Sequence, residues 1–539
     1  MPKVDKAVNR TWSYERSDEL NERSATAGRF AVLRSVLILF TLLVTTSAFP
    51  QDEATVTARW DQGTFKSRTS VSMSVCIEPP LRRTSPIHDQ LFDAIRDLKA
   101  DFLHFQPWRP YPRIAVAELE PPHDGKTYWD FSLLDPILID FMKAAAGRPV
   151  VMNISTIPQW MFKTDKPVAY PSDPDEITWN YEQGTELRDP TMKEVAEYWA
   201  RVVSWYTKGG FNDEYGKWHD SGHHFKVAYW EVLNEVEYEH TMTPEFYTGL
   251  YDAIVTEVRK VAPEMKFVGM ALGPSGPLTQ PKWFEYFLDP KNHRPGIPID
   301  AFAYHYYCQP CPEPDAGPET LAYTLFPQAI GFVNVVRYIE AIRQRLAPHA
   351  MTMIDEVGTI FPDSQTPESA DRIPNVYWNA SAAMFAFLYP QLTRLGIDVV
   401  HESELIDYPG QYPGTTLVHW KTGRPNARYW VLKLIRENFA PGDKLVGTRV
   451  NVAAAKFRDS STTREFVYGQ AFVTNEGKRK ILVVNKRDQS FEIVIPDGAG
   501  AQVEYVDQKT ASDPPAKATL KGDRFMLNGF GVAVVTLAK

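Results

Sequence analysis

Cysteine is scarce, with three in 539 residues. Cys76, Cys308 and Cys311 cannot build a disulfide framework or a four-thiolate zinc site, although one bridge is allowed. Histidine offers no metal motif either. There is no His-Glu-x-x-His helix, and the adjacent His223 and His224 have no partner at ligand spacing. Positive charge is not in excess: 58 Lys and Arg stand against 67 Asp and Glu, a formal charge of -9. That leaves no broad basic footprint for a phosphate backbone, so nucleic acid is not an expected partner. No Gly-rich phosphate loop follows a strand-like run, and no apolar run reaches the roughly 20 residues that span a bilayer. Nucleotide-binding sheets and multi-span membrane proteins are therefore excluded.

What is present is core-forming material. Hydrophobic residues make up 44% of the chain, with 14 Trp and 25 Tyr, which excludes global disorder. The 42 prolines point to fixed turns and long shaped loops. The length exceeds that of an ordinary single domain, so two folded units are expected.

Residues 1–48 read as an N-terminal extension with a signal peptide or anchor. Val36–Thr46 (VLILFTLLVTT) follows Arg29 and Arg34, and Thr46-Ser47-Ala48 supplies a small-x-small cleavage pattern. The run is short for a membrane span, which favours a cleaved signal; an uncleaved anchor is the alternative and the only route to membrane attachment. The polar stretch before Arg29 is longer than an ordinary n-region, as when translation starts further in. Export to the periplasm or medium is the expectation.

From about residue 70 the pattern alternates strand and helix. Strand-like runs are Val71–Ile77, Phe102–Phe105, Pro149–Ile154, Phe225–Leu233, Lys266–Ala271, Ile299–His305, Met351–Asp355 and Ile397–His401. Helical spacing appears between them, as in Val335, Tyr338, Ile339, Ile342 and Leu346. Eight such pairs predict an α/β fold, a (β/α)8 TIM barrel over residues 70–440, rather than an open sheet of five or six strands. Residues 441–539 change to short β-rich segments such as Lys480–Asn485 and Phe530–Leu537, which predict an antiparallel β-sandwich. Residues 49–69 form a lead-in whose Ala54–Trp60 segment is placed to add a strand to that sandwich.

Active groups in such barrels come from the C-terminal ends of strands. The fourth strand ends in Trp230-Glu231-Val232-Leu233-Asn234-Glu235 and the seventh in Ile354-Asp355-Glu356-Val357-Gly358. Two carboxylates facing one another across the mouth suit glycosidic-bond cleavage, one delivering a proton to the leaving oxygen and the other attacking or steadying the anomeric carbon. Strict alternation would send Asn234 and Glu235 to opposite faces, so the strand must end or bulge there if both serve the site. Glu231 reads as an internal barrel residue or buried ion partner, Asp355 as structural, and Glu237 and Glu239 as solvated loop residues.

The stretch Tyr229–Glu235 (YWEVLNE) resembles the fourth-strand motif of the retaining clan-A glycoside hydrolases. Within that clan the middle of the chain is most similar to glycoside hydrolase family 39, the β-xylosidase and α-L-iduronidase family, whose barrels carry an accessory β-sandwich. The resemblance implies that Glu235 is the acid/base, Glu356 the nucleophile, and Asn234 a hydrogen-bond partner of the sugar 2-hydroxyl. His305 and Tyr307 in AYHYY match the sixth-strand His-x-Tyr pattern, which orients the nucleophile and touches the glycone. The phrase GRPNARYWVLKLI from Gly423 resembles the segment after strand eight. Two positions depart from the pattern: Val236 replaces the proline of Asn-Glu-Pro, and Val357 replaces the aromatic residue after the nucleophile.

These readings predict a retaining glycoside hydrolase working by double displacement on a glycoside, oligosaccharide or polysaccharide, without a cofactor. Exo-acting β-xylosidase-like cleavage leads; β-galactosidase, β-glucosidase, arabinosidase or uronidase action, endo cleavage and a non-catalytic carbohydrate-binding barrel are the alternatives. An oligomer is not excluded. Trp108, Trp160 and Trp420 are candidate sugar-stacking residues. Arg109 is a candidate cation for a uronate, with a loop salt bridge as its plainer role. Cys308 and Cys311, spaced C-x-x-C, are a candidate disulfide pinning the loop beside His305.

Overall fold

The computed structural model describes residues 52–538 except Arg109, Val168 and the stretches 179–184, 275–280, 311–316 and 454–465. The apolar segment 36–46 and the sequence after it, Arg109 and Cys311 therefore lie outside the described residues. Strand β1 (Glu53–Lys66) opens the described chain. Next come β2 (Ser70–Cys76), β3 (Leu103–Gln106), β4 (Val150–Ile154), a small hairpin of β5 (Gly210–Asn212) and β6 (Trp218–Asp220), and β7 (Tyr229–Val232). The series ends with β8 (Lys266–Leu272), β9 (Ala301–Cys308), β10 (Met351–Thr359) and β11 (Val399–Glu402). Apart from β1 and the hairpin, these strands form a closed parallel barrel in which β11 pairs back onto β2.

A helix follows each barrel strand, and its ends are written in the sequence. The Pro244–Val261 helix starts at Thr243, whose side chain accepts from the Phe246 N–H at 3.2 Å, with Pro244 and Glu245 in the first turn and Arg259 and Lys260 in the last. Its buried stripe, Tyr247, Leu250, Tyr251, Ile254 and Val258, recurs at helical spacing. The helix after β9 runs over Glu319–Leu346, starting well ahead of the periodic stretch at Phe332. Pro327 reads as a stop in sequence, but it lies on the exposed face of this helix.

Side chains alternate across the barrel wall. In β9, Phe302, Tyr304, Tyr306 and Cys308 join the core of the helix layer, where Tyr306 stacks on Phe332 at 4.1 Å, while Ala301 and Ala303 join the interior. The interior begins as an apolar layer of Val151, Tyr229, Val268, Ala303, Met353 and Val399. Further along the strands it turns polar, with His104, Asn153, Glu231, Asp355 and His401 all fully buried.

The C-terminal part is one curled sheet. It contains β12 (Lys444–Ala453), β13 (Val467–Val473), β14 (Arg479–Asn485), β15 (Phe491–Val494), β16 (Gln502–Val506), β17 (Ala516–Thr519), β18 (Arg524–Leu527) and β19 (Val532–Thr536). Strand β1 sits inside it, antiparallel to β12 and parallel to β15. The expected antiparallel domain is present as this curled sheet, and β1, which contains the Ala54–Trp60 segment expected to join it, adds a parallel pairing with β15. The curl brings Val56, Ala471, Ile481, Phe491, Ile493 and Val535 into a common core. On the barrel wall, Phe472 packs on Phe439 at 4.3 Å and on Tyr389 at 6.3 Å.

A Cβ on Gly469 would lie 2.7 Å from Val56 Cγ1 and 3.1 Å from Val450 Cγ2. Gly469→Ala is therefore expected to destabilise the sheet by about 1–3 kcal/mol. Adding Val56→Ala should recover part of that loss, so that the pair is less than additive in denaturant unfolding.

Candidate active site

Two departures from regular backbone build the site. Strand β7 ends at Val232, and Leu233 and Glu235 take left-handed conformations, with φ of 66° and 38°. The turn is held by Asn153, which donates to Leu233 O at 3.1 Å, and by the Glu235 N–H, which donates to Ala271 O at 2.9 Å. Asn234 and Glu235 can then both face the cavity. In β10 the register slips between Met353 and Glu356 against β9, and between Ile354 and Val357 against β11. That bulge turns Asp355 and Glu356 inward together, while Ile354 and Val357 stay in the helix layer.

His305 joins the two carboxylates. Its Nδ1 lies 2.8 Å from Glu235 Oε1 and 3.2 Å from Glu356 Oε2, and its Nε2 lies 3.6 Å from Asp355 Oδ1. Burial would drive this imidazole neutral, but Glu356, Asp355 and Glu235 outweigh it and hold it charged well above the ordinary histidine range. Glu356 is the more enclosed acid: Gln106 Nε2 donates to Oε1 and Tyr307 Oη to Oε2, both at 2.7 Å. Burial pushes the Glu356 carboxyl up, with Glu235 adding, against the opposing pull of His305, Tyr307 and Gln106. Tyr307 in turn meets Ser403 Oγ at 2.5 Å and lies flat against Gly358, where a Cβ would come within 2.8 Å of its ring. The Glu235 side chain is 21% exposed, against 7% for Glu356.

Beneath this trio lies a second buried set. Glu231 accepts from His104 Nε2 and from Asn153 Nδ2, each at 2.7 Å. Burial opposes its charge, but His104 and these hydrogen bonds keep it below the ordinary carboxylate range. Asp355 goes the other way: burial and the neighbouring Glu231 charge hold it protonated, well above that range. His401 is kept neutral by burial and by His104. Among the described residues, His104/Glu231/Asp355 and Glu235/His305/Glu356 are the groups whose donor atoms come within 4.8 Å of one another, as a metal ion would require. Each already closes on itself through direct contacts of 2.7–2.8 Å.

A cavity of about 220 Å³ sits over the acid pair, walled by Gln106, Trp108, Tyr307, Ile360, Glu404 and Tyr412, with Asn234 also lining it. Gln106, Glu404 and Tyr412 carried no sequence signal of their own; only position at strand ends would have marked the first two. Glu239, read in sequence as solvated, accepts from Trp108 Nε1 and Asn234 Nδ2, each at 3.1 Å, and its side chain is 6% exposed. Glu237 is likewise enclosed, pushed up to about 7 by burial and the Glu235 charge.

Three expectations fall elsewhere. Trp160 faces a separate hollow of about 860 Å³, where Arg188 covers its ring at 4.4 Å. Trp420 sits edge-on to Tyr408 at 5.7 Å, with Lys421 over its face. Neither lines the cavity over the acids. Cys308 is a buried thiol at the end of β9, with its side chain in the helix layer 3.9 Å from Gly358 O, and its expected partner Cys311 lies outside the described residues.

No protein-family model and no curated protein matches the sequence. Solved structures match at the level of fold. A GH51 arabinofuranosidase from Xanthomonas axonopodis pv. citri is 13% identical with a TM-score of 0.59, covering 90% of this chain and 100% of its own. A glucosidase from Croceicoccus marinus is 14% identical with a TM-score of 0.57, covering 90% and 99%. An alpha-L-arabinofuranosidase from Thermotoga maritima is also 14% identical, with a TM-score of 0.55 and the same coverage. The chain shares the barrel and β-domain architecture of these clan-A glycosidases. The likeness extends across families and does not single out family 39.

Several buried carboxyls resist ionisation in the fold. Glu402 and Asp407 are each pushed up to about 7 and Glu118 to about 9, in all three cases chiefly by burial. Such groups take up protons on folding, so their stabilising contribution is full below the ordinary carboxylate range and is lost as pH rises through the folded value. His401 and His419, both shifted down chiefly by burial, act oppositely below the ordinary histidine range. Thermal melts should therefore show a midpoint that falls as pH is raised from about 5 to about 8, and Asp407→Asn should flatten that dependence.

Proposed function

We propose that the protein is a retaining O-glycoside hydrolase, with Glu356 as nucleophile and Glu235 as acid/base. The observation that carries this reading is the approach of the two carboxylates around His305, with donor atoms within 4.8 Å. Retaining pairs stand about 5–5.5 Å apart, whereas inverting pairs need roughly 6.5–9.5 Å to admit a water. The roles follow from the surroundings. Glu356 is oriented by Tyr307 and Gln106, which leaves a fixed carboxylate to attack the anomeric carbon. Glu235 is the more open of the two, as befits a group that gives a proton to the leaving oxygen and later takes one from water. The charged His305 steadies the pair before attack, and forming the glycosyl ester removes one of its negative partners.

The small cavity supports exo action on a single terminal sugar, with the β-xylosidase-like specificity suggested by the family-39 resemblance. The related folds carry the names arabinofuranosidase and glucosidase, which keeps pentosides and hexosides together as the substrate group. A second reading, endo cleavage, has one observation in its favour: the larger hollow beside Trp160 and Tyr170 offers room for further sugar units. Export directed by residues 36–48 belongs to the same proposal, since it would place the enzyme among external glycosides.

Glu356→Gln should reduce release of p-nitrophenol from aryl glycosides to background with the fold intact. With Glu235→Ala, azide should restore turnover of activated substrates and yield a glycosyl azide of retained configuration. An active Glu356→Gln protein, or an inverted product by NMR, would sink the assignment. Tyr307→Phe removes a donor that favours ionised Glu356, so the acid limb of the kcat/KM profile should move to higher pH. The same change should lower kcat/KM on the order of 100-fold.

A further inference from the structure

We propose that the cavity over the acid pair takes a neutral sugar ring and rejects uronates, and that Glu404 is the residue that reads the ring's hydroxyls. This rests on the glycosidase reading and goes further by naming the class of sugar. Glu404 follows β11 and forms one wall of the cavity, together with Tyr307 and the Glu356 carboxylate. It is 3% exposed. Thr415 Oγ1 donates to its Oε1 at 3.3 Å, while Oε2 is buried with no hydrogen bond of ordinary geometry. The Cys76 thiol, a weak donor, lies beside the carboxyl. A buried polar atom left open on a cavity wall is a place for a ligand to complete.

The charges around the cavity decide what kind of ligand. Among the described residues that line it there is no Lys or Arg. Arg428, which touches the loop carrying Glu404, is committed to Glu402 at 3.0 Å, Ser403 O at 2.5 Å and Thr415 O. His305 is charged, but already shared among Glu235, Glu356 and Asp355. Behind Glu404 stand Asp407 and Glu78, both fully buried carboxyls. A uronate entering here would bring another negative group into an acidic, desolvated wall where no described lining residue is a Lys or Arg free to meet it. Burial next to Asp407 and Glu356 keeps Glu404 protonated, and its carboxyl is hydrogen-bonded to Asp407, so what it offers the cavity is an oxygen that accepts from a sugar hydroxyl. Arg113, Lys166 and Arg188 instead line the separate hollow beside Trp160.

The test is a kcat/KM panel of p-nitrophenyl β-xyloside, β-glucoside, β-galactoside, α-L-arabinofuranoside, β-glucuronide and α-L-iduronide. It uses the full chain and the variants Glu404→Ala, Glu404→Gln and Arg109→Ala. The best neutral glycoside should exceed either uronide by at least about 1,000-fold. Glu404→Ala should cost that substrate on the order of 100-fold, and Glu404→Gln should restore it to within about tenfold, because the amide keeps a donor for Asp407 and an acceptor for the sugar. Removing the sugar hydroxyl that Glu404 reads should harm the native chain much more than Glu404→Ala. A uronide as best substrate, lost in Glu356→Gln or Arg109→Ala, would overturn the neutral-sugar proposal and leave the glycosidase reading standing. A folded Glu404→Ala protein with unchanged kcat/KM would overturn the role of Glu404. If no glycoside is turned over, the glycosidase reading falls; calorimetry with free xylose, glucose and glucuronate then decides the sugar class, and binding of glucuronate alone, or of none, overturns it.

Discussion

The site depends on one buried imidazole. His305 is completely shielded from solvent, yet it lies against Glu235, Glu356 and Asp355, which would repel one another without it. In a low-dielectric interior, an uncompensated carboxylate would take up a proton or move toward water. The shared cation lets two of them stay close enough to act on one bond. It also explains why Asp355, on the far side of the ring and next to Glu231, is the member held protonated. The barrel interior thus has a graded polarity, from an apolar end through a hydrogen-bonded layer to an open acidic cavity.

Regular strands could not present these groups. Alternation sends successive side chains to opposite faces, so an adjacent Asn-Glu or Asp-Glu pair would lose one member to the helix layer. The left-handed turn after β7 and the bulge in β10 remove that conflict at two different places. The turn after β7 is tied down by the neighbouring strands: Asn153 of β4 holds Leu233, and Ala271 of β8 holds Glu235. Close approach is part of the same arrangement, since a Cβ on Gly273 would sit 3.0 Å from Glu235 Cδ. Local irregularity at the strand ends is the physical means by which a symmetric barrel acquires an asymmetric pair of acids.

Charge is partitioned as strictly as shape. The cavity above the acids is walled by carboxyls, amides and aromatics, and the buried Arg428 behind it holds Glu402 and two carbonyls of the loop that carries Glu404. That guanidinium fixes the loop without lending its charge to the cavity. The β-domain takes no part in the wall; its role in the described structure is to absorb β1 and to cover the barrel helices through Phe472.

The sequence by itself determined the barrel, because eight repeats of apolar strand and amphipathic helix have few other ways to bury their faces. It also marked Glu235, Glu356, His305 and Tyr307, which the fold brings together at the strand ends. It could not rank the aromatics: Trp108 lines the cavity, whereas Trp160 and Trp420 pack elsewhere, since loop aromatics carry no periodic signal that says which hollow they face. Nor could it separate buried from solvated acids. Glu239 is enclosed by Trp108 and Asn234, and Gln106 and Glu404 become part of the wall, through contacts between segments more than a hundred residues apart for several of these pairs. Even the direction of the Cys308 side chain was decided by one more residue of strand, which carried its thiol into the helix layer. Periodicity is a local property and survives in the chain; the direction of a single side chain at a strand end depends on bulges and turns held by distant partners, and only the tertiary structure supplies those.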